Sequence, residues 1–455
     1  MQYLSTRNNK LKESFLNILF QGLSKEGGLF LPSVWPSISI KDIKDKNYQE
    51  IACAVINPFI QDDISENDLR LIINKTYQNF NHESVAPLIN IEKNKYILEL
   101  FYGPTFAFKD YALQFLGNLF SHVLQNTNKK ITVLGATSGD TGSAAINAFK
   151  GKDDVQVFIL HPYQKVSEVQ RRQMTTVAEK NIHNIALKGT FDDCQKIVKQ
   201  LFLDSGLQSK TSLTAVNSIN WARIIAQTVY YFWAYIQLGK EKVNFIVPSG
   251  NFGNIFSARV AKYMGLPIDR LHIVTNENDI LHRTISEGKM KIDIVKKTYS
   301  PSMDIQISSN FERQLFESAN RDSDLIKKTM QSFLETGEHI LTNSIVEDMK
   351  LIYNTHTVSN LQTLETIRKF KEKFNYLADP HTATGLSVLD KMDNENSTIS
   401  LVCAHPAKFG EAIKEATGNL PNFPSELKNI FDKEEKIIIL NNNIQDIKNH
   451  IINNI

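Results

Sequence analysis

The chain has 455 residues, 42% hydrophobic and 22% charged, which suits an ordinary globular protein of about two or three domains and excludes wholesale disorder or a fibrous repeat. Its 51 Lys and Arg against 49 Asp and Glu give a net charge of +2, without the basic excess of a general nucleic-acid binder. The three cysteines, Cys53, Cys194 and Cys403, lie far apart and form no CxxC pair, so neither a zinc ribbon nor a disulfide framework is expected and the count fits a reducing compartment.

Met1-Gln2-Tyr3-Leu4 carries no positive region followed by an apolar core, and no later apolar run approaches the roughly 18 residues that span a bilayer. A soluble cytoplasmic protein that contacts neither membrane nor nucleic acid is expected. Residues 1–90 read as a compact helical unit. Residues 11–23 are amphipathic and give way to Gly27-Gly28 and the apolar Leu29-Phe30-Leu31, stopped by Pro32; helical patterns recur at 48–60 and 65–80. Residues 91–100 read as a strand in a hairpin with the stretch before it. Apolar strands then alternate with amphipathic helices: strands at 131–134, 155–160, 181–187, 243–247 and 271–275, helices at 144–149, 192–203, 221–238 and 255–264. This alternation predicts an α/β fold with a largely parallel sheet and helices on both faces. Residues 285–375 read as a mostly helical insertion, 398–403 as a late strand, and 421–455 as a C-terminal strand and helix.

Within this pattern Gly103-Pro104-Thr105-Phe106-Ala107-Phe108-Lys109-Asp110 places one lysine in an aromatic run, at the start of a helix with Tyr111, Ala112, Phe115, Leu116 and Leu119 on one face. A desolvated lysine loses its proton readily and attacks carbonyls as a neutral amine, as a Schiff-base lysine for pyridoxal phosphate must. The other reading is a first-turn lysine whose stem covers apolar surface.

Three strands end in unusual loops, where open parallel sheets bind ligands. Gly135-Ala136-Thr137-Ser138-Gly139-Asp140-Thr141-Gly142 opens a helix and can offer backbone N–H groups to an anion, although a tight capped turn would look the same. Ser249-Gly250-Asn251-Phe252-Gly253-Asn254 can wrap a phosphate monoester, or is a glycine-rich turn. Cys403-Ala404-His405-Pro406-Ala407-Lys408-Phe409 brings a lysine that is either a substrate contact or solvated. There is no G-x-G-x-x-G, P-loop, HExxH or G-x-S-x-G, which disfavours a dinucleotide oxidoreductase, a protein metal site and an α/β-hydrolase.

Taken together, these segments resemble threonine synthase of the longer bacterial and fungal class. Also similar are Tyr3-Leu4-Ser5-Thr6-Arg7, Gln173-Met174-Thr175-Thr176, Asn217-Ser218-Ile219-Asn220-Trp221-Ala222-Arg223, Ser300-Pro301-Ser302-Met303-Asp304, Ser309-Asn310-Phe311-Glu312-Arg313 and Asp379-Pro380-His381-Thr382-Ala383. The resemblance spans roughly residues 1–420 in order. It implies the pyridoxal-phosphate fold of the tryptophan-synthase-β type, with an N-terminal domain at 1–90, smaller and larger α/β subdomains within 91–420, and the extension at 421–455.

The reaction implied is O-phospho-L-homoserine plus water giving L-threonine plus phosphate, with pyridoxal 5'-phosphate as cofactor and no metal. Lys109 would hold the cofactor and, once released, carry protons at the substrate's Cα and Cβ. Gly250, Asn251, Phe252, Gly253 and Asn254 would cup the cofactor phosphate. Cys403 stands where the family usually has threonine, and would lie against the ring nitrogen as a weaker partner than a hydroxyl. Thr137, Ser138, Gly139, Asp140 and Thr141 would bind the substrate, chiefly its carboxylate, with Asp140 turned to the aldimine region or to a donor; Ser218, Asn220, Arg223 and Lys408 are candidates for its phosphate. A serine or threonine dehydratase of the same fold is the alternative reaction, and an inactive binding homologue a different class.

Overall fold

The computed structural model describes residues 1–455 except 128 and 394. Two α/β sheets carry the architecture. The smaller is five-stranded and all parallel, in the order Ile438–Asn441, Ile182–Lys188, Val155–Pro162, Ile131–Ala136, Ser212–Thr214. The larger runs Tyr353–Thr357, Ile268–Thr275, Val243–Pro248, Thr398–Val402, Lys95–Glu99, Leu88–Glu92; only the last strand is antiparallel to its neighbour. Central strands are apolar runs because helices cover both faces: every residue of Val243–Pro248 and of Thr398–Val402 is buried. Register aligns their exits, with Val247 opposite Ile273 and Pro248 opposite Val274.

The helix Trp221–Leu238 is the central packing element. Every residue from Trp221 to Tyr235 is buried, so this helix is apolar all round except for Arg223, Gln227 and Thr228. The N-terminal unit docks beside it on the helix Lys109–Thr127. Tyr111 of that helix meets Phe80 with ring centroids 4.8 Å apart, and its hydroxyl donates to the Val85 carbonyl at 2.5 Å. Tyr48 and Tyr77 close the cluster at 4.9 Å. Such edge-on pairs add about 0.5–1.5 kcal/mol each beyond area burial, so the N-terminal unit braces the helix that Lys109 begins.

Three segments differ from the sequence reading. The N-terminal unit is not purely helical: Tyr3–Ser5 pairs with Asn8–Glu13 and Phe30–Pro32 in an antiparallel sheet, ahead of the helix Phe15–Gln21. Asn8–Glu13 is a polar edge strand without apolar alternation, which hides it. The stretch 285–375 contains the edge strand Tyr353–Thr357, whose sequence YNTHT is equally polar. Residues 91–100 hold the end of Leu88–Glu92, a turn and Lys95–Glu99. Among the described residues no helix is long and apolar enough to cross a membrane.

Candidate active site

Strand exits of both sheets converge on a cavity of about 230 Å³. Lys109 reaches it from a loop held on both sides. Asp110 accepts from Thr105 N at 2.8 Å and from Thr105 Oγ1 at 2.7 Å, and Phe106 sits in the left-handed region with φ 61°. Gly103 is required there, because a Cβ would stand 2.4 Å from Asp110 Cβ. Phe108 N donates to the Cys403 carbonyl at 2.8 Å and His405 N to the Phe106 carbonyl at 3.0 Å, so the loop is laced to the exit of Thr398–Val402. The Lys109 ammonium lies 4.5 Å from the Phe108 ring centroid. Burial lowers its pKa; Asp140 opposes this, and Arg223 adds to it.

The strand Ile131–Ala136 delivers the second wall. Thr137 Oγ1 accepts from Gly139 N at 3.0 Å and Gly142 N at 2.8 Å, which folds the loop tightly into the helix Asp140–Phe149. The N-cap Gly139 has no side chain to offer, and with Gly142 N taken by Thr137 the first-turn N–H groups left over are those of Asp140 and Thr141, which line the cavity with Ser138. Gly139 has φ 145°, and a Cβ on it would stand 2.4 Å from the Gln170 amide carbon. Gly139→Ala is expected to lower stability by about 2 kcal/mol or more from strain and overpacking, read as a fall in urea midpoint.

Asp140 is 5% exposed and is met by two donors, Lys408 Nζ at 2.8 Å and Gln170 Nε2 at 2.8 Å. Burial works against its charge, but Lys408 and then Lys109 hold the carboxyl well below the usual range. Lys408 itself is fully buried and also donates to the Thr105 carbonyl at 2.7 Å. Its ammonium is spent on this junction and does not line the cavity.

The strand Val243–Pro248 delivers the third wall. Phe252, at φ 63°, turns residues 249–252 into the helix Gly253–Tyr263, which again has no side-chain cap. Asn254 Oδ1 accepts from the hydroxyls of Tyr230 and Tyr231, leaving its buried Nδ2 without a partner at the cavity wall. Gly250 packs so closely that a Cβ would come within 3.0 Å of Met303 Cα, and Ser308 Oγ donates to its carbonyl at 2.7 Å.

Of the residues singled out from sequence, Lys109, Thr137, Ser138, Asp140, Thr141, Ser218, Arg223, Gly250, Asn251, Phe252, Gly253, Asn254 and Cys403 share this cavity. Arg223 is 2% exposed and has no carboxylate partner among the described residues; Nη1 donates to the Val216 carbonyl at 2.7 Å and buried Nε donates to nothing. Burial pulls its pKa down to about 10. Cys403 is 6% exposed, and burial pushes its thiol well up. Asn220, like Lys408, stands apart from the wall: it caps the helix Trp221–Leu238 through Ala222 N at 3.1 Å and donates to the Leu19 carbonyl at 3.0 Å. Gly139 stands behind the wall against Gln170.

Sequence reasoning missed Phe191, Gln195, Val198 and Lys199, one face of the helix Phe191–Phe202 at i, i+4, i+7 and i+8. The adjoining face carries Cys194, Ile197 and Leu201 into the core, where Val198 also packs, so the helix read as ordinary packing. Ser302, Asp304, Ile305 and His381 also line the cavity.

Comparison with known proteins gives a consistent result. Residues 2–77 match the family described as threonine synthase N terminus, 81–343 the pyridoxal-phosphate dependent enzymes, and 382–451 threonine synthase, C-terminal. The chain is 43% identical to a threonine synthase of Pseudomonas aeruginosa over 98% of its length and 97% of the relative's. A crystal structure of threonine synthase with bound PLP from Brucella melitensis superposes with a TM-score of 0.96 at 42% identity, covering 100% of this chain and 99% of that one. The yeast threonine synthase structure gives 0.94 at 41%, covering 100% and 98%.

Proposed function

The chain belongs to the threonine synthase family, and on that premise we propose that its cavity converts O-phospho-L-homoserine and water to L-threonine and inorganic phosphate. The observation that carries this is one cavity shared by a buried-amine lysine, two uncapped helix starts and an arginine without a carboxylate. The substrate brings a carboxylate, an amine and a phosphate, and the cavity has a group for each. The three free, buried cysteines support a reducing, cytoplasmic setting.

The residues present fit pyridoxal 5'-phosphate. The start of the helix Gly253–Tyr263 offers unpaired N–H groups and the orphan Asn254 Nδ2, donors suited to a phosphate monoester. Lys109 would hold the aldehyde, and Cys403 would stand beside the ring as a weak polar contact. When bound, this cofactor supplies the electron sink for carbanion character at the substrate carbons.

Lys109 does the proton work. Its neutral amine takes a proton from the substrate Cα and then one from Cβ as the phosphate leaves Cγ; one proton goes back to Cγ, which becomes the methyl group, and one to Cα when threonine forms. Backbone N–H groups of Ser138, Asp140 and Thr141 hold the substrate carboxylate through the positive end of the helix Asp140–Phe149. Asp140 cannot repel that carboxylate strongly, because Lys408 and Gln170 already neutralise and orient it. Arg223, which lines the cavity with no carboxylate partner among the described residues, supplies the positive charge for the phosphate that leaves from Cγ, and Ser218, held by Asn310 Nδ2 at 2.9 Å, supplies a hydroxyl beside it. The water adds at Cβ, giving the threonine hydroxyl.

Incubation of the purified protein with O-phospho-L-homoserine and pyridoxal 5'-phosphate should release phosphate and threonine in equal amounts. Phosphate accompanied by a keto acid in place of threonine would instead support dehydratase-type elimination and sink the synthase reading.

A further inference from the structure

Asp379 and His381 are 0% and 4% exposed, far more buried than such residues normally are. Asp379 caps the helix Pro380–Leu389 through His381 N at 2.9 Å, but it does more than a cap requires. Its Oδ1 also accepts from His381 Nδ1 at 3.0 Å, and its Oδ2 from Thr382 Oγ1 and from Ala404 N at 3.2 Å. The other ring nitrogen, His381 Nε2, accepts from Ser302 N at 3.2 Å. That acceptor role fixes the proton on Nδ1, facing Asp379.

These bonds form one chain from the Lys109 loop to the turn that packs on the 249–254 loop. Thr382 Oγ1, having donated to Asp379, accepts from Cys403 N at 2.8 Å. The Cys403 carbonyl accepts from Phe108 N at 2.8 Å, one residue before Lys109. At the other end, Ser302 belongs to the short turn Pro301–Met303, whose backbone is so close to Gly250 that a Cβ there would lie 3.2 Å from the Ser302 carbonyl oxygen. The Phe409 ring, 4.8 Å from the imidazole, closes the other face of His381.

We propose that Asp379 and His381 are positioning residues that keep the Lys109 loop and the 249–254 loop in register through this buried hydrogen-bond chain. The proposal rests on the reading of those loops as the two ends of a pyridoxal-phosphate site. Cofactor bound at both ends is then held tightly only while His381 Nε2 anchors Ser302.

Two substitutions divide the chain at His381. In His381→Gln the amide oxygen can occupy the position of Nε2 and still accept from Ser302 N. In His381→Asn the shorter amide can serve Asp379 but does not reach Ser302. Full-length wild type and both variants are purified as holoenzymes. Pyridoxal 5'-phosphate affinity is measured by equilibrium dialysis, and folding by urea midpoint.

Loss of one buried hydrogen bond makes the expected weakening about tenfold or more in His381→Asn, against about threefold or less in His381→Gln, with similar urea midpoints. Equal cofactor affinity in the two variants overturns the proposal. So does a His381→Asn protein that fails to fold while His381→Gln folds, because the contact is then structural. A joint failure of both variants to fold overturns it for the same reason. If wild type itself does not hold the cofactor, the underlying site reading falls as well, which separates the two failures.

Discussion

Lys109→Ala is expected to abolish turnover and to remove the visible, borohydride-reducible chromophore of the holoenzyme, with little change in stability. The side chain lines the cavity and has no ion-pair partner within 4 Å among the described residues, so truncation leaves no buried charge unpaired. The helix it begins is held by Asp110 and by the Tyr111 ring cluster, neither of which needs Lys109. The stability change should therefore stay within about 1 kcal/mol, as for a partly exposed residue. Activity should fall by at least about 10²–10⁴-fold, the range for losing a positioned general base, and further because the cofactor anchor is lost with it. Absorbance before and after borohydride, with phosphate release, checks both. A chromophore that survives would place the aldehyde on another lysine and refute the assignment.

Asp140→Asn should be the most damaging single change to the fold of the site. Lys408 is fully buried, and among the described residues Asp140 is the carboxylate within 4 Å of it. Removing one member of such a pair typically costs about 3–5 kcal/mol, because the remaining charge has been taken out of water. Asparagine keeps the volume and an acceptor for Gln170 Nε2, so the loss is electrostatic. The double variant Asp140→Asn, Lys408→Met should recover part of it, and a cycle of urea midpoints measures the coupling. If the two single losses simply add, the pair is not a coupled buried bridge. The pH dependence has a fixed sign. The folded carboxyl titrates below its unfolded value of about 3.9, so its contribution is complete above about pH 4 and is lost as the pH falls further. Asp140→Asn lacks that component.

Much of the architecture was legible because buried strands and amphipathic helices leave strong periodicities. The helix Trp221–Leu238 reads directly from its apolar run, and Val243–Pro248 from its branched and aromatic core residues. What escaped was polar. Asn8–Glu13 and Tyr353–Thr357 are edge strands, and their residues satisfy solvent on one side, so no alternation marks them. Tail residues 437–440 read as a strand, yet nothing local states that the strand that forms, Ile438–Asn441, sets Ile438 opposite Ile185 and extends the smaller sheet.

The same division runs through the site. Glycines at 139, 142, 250 and 253 with hydroxyls and amides beside them marked two tight strand-exit loops as candidate anion sites, because such close turns need those residue types. The lysine in an aromatic run at 109 reads either as a depressed amine or as a first-turn lysine over apolar surface, and burial lowers its pKa. Arg223, Asn220 and Lys408 looked alike in sequence, as polar groups near loops. Only packing separates them: Arg223 lines the cavity without a carboxylate partner among the described residues, Asn220 is consumed as a cap, and Lys408 neutralises Asp140. Sequence alone thus determined which residue types occupy the strand exits, since local backbone geometry and desolvation constrain them residue by residue. Tertiary structure decided which charges remain free, because pairing depends on contacts between distant segments, such as Thr105 and Lys408, 303 positions apart.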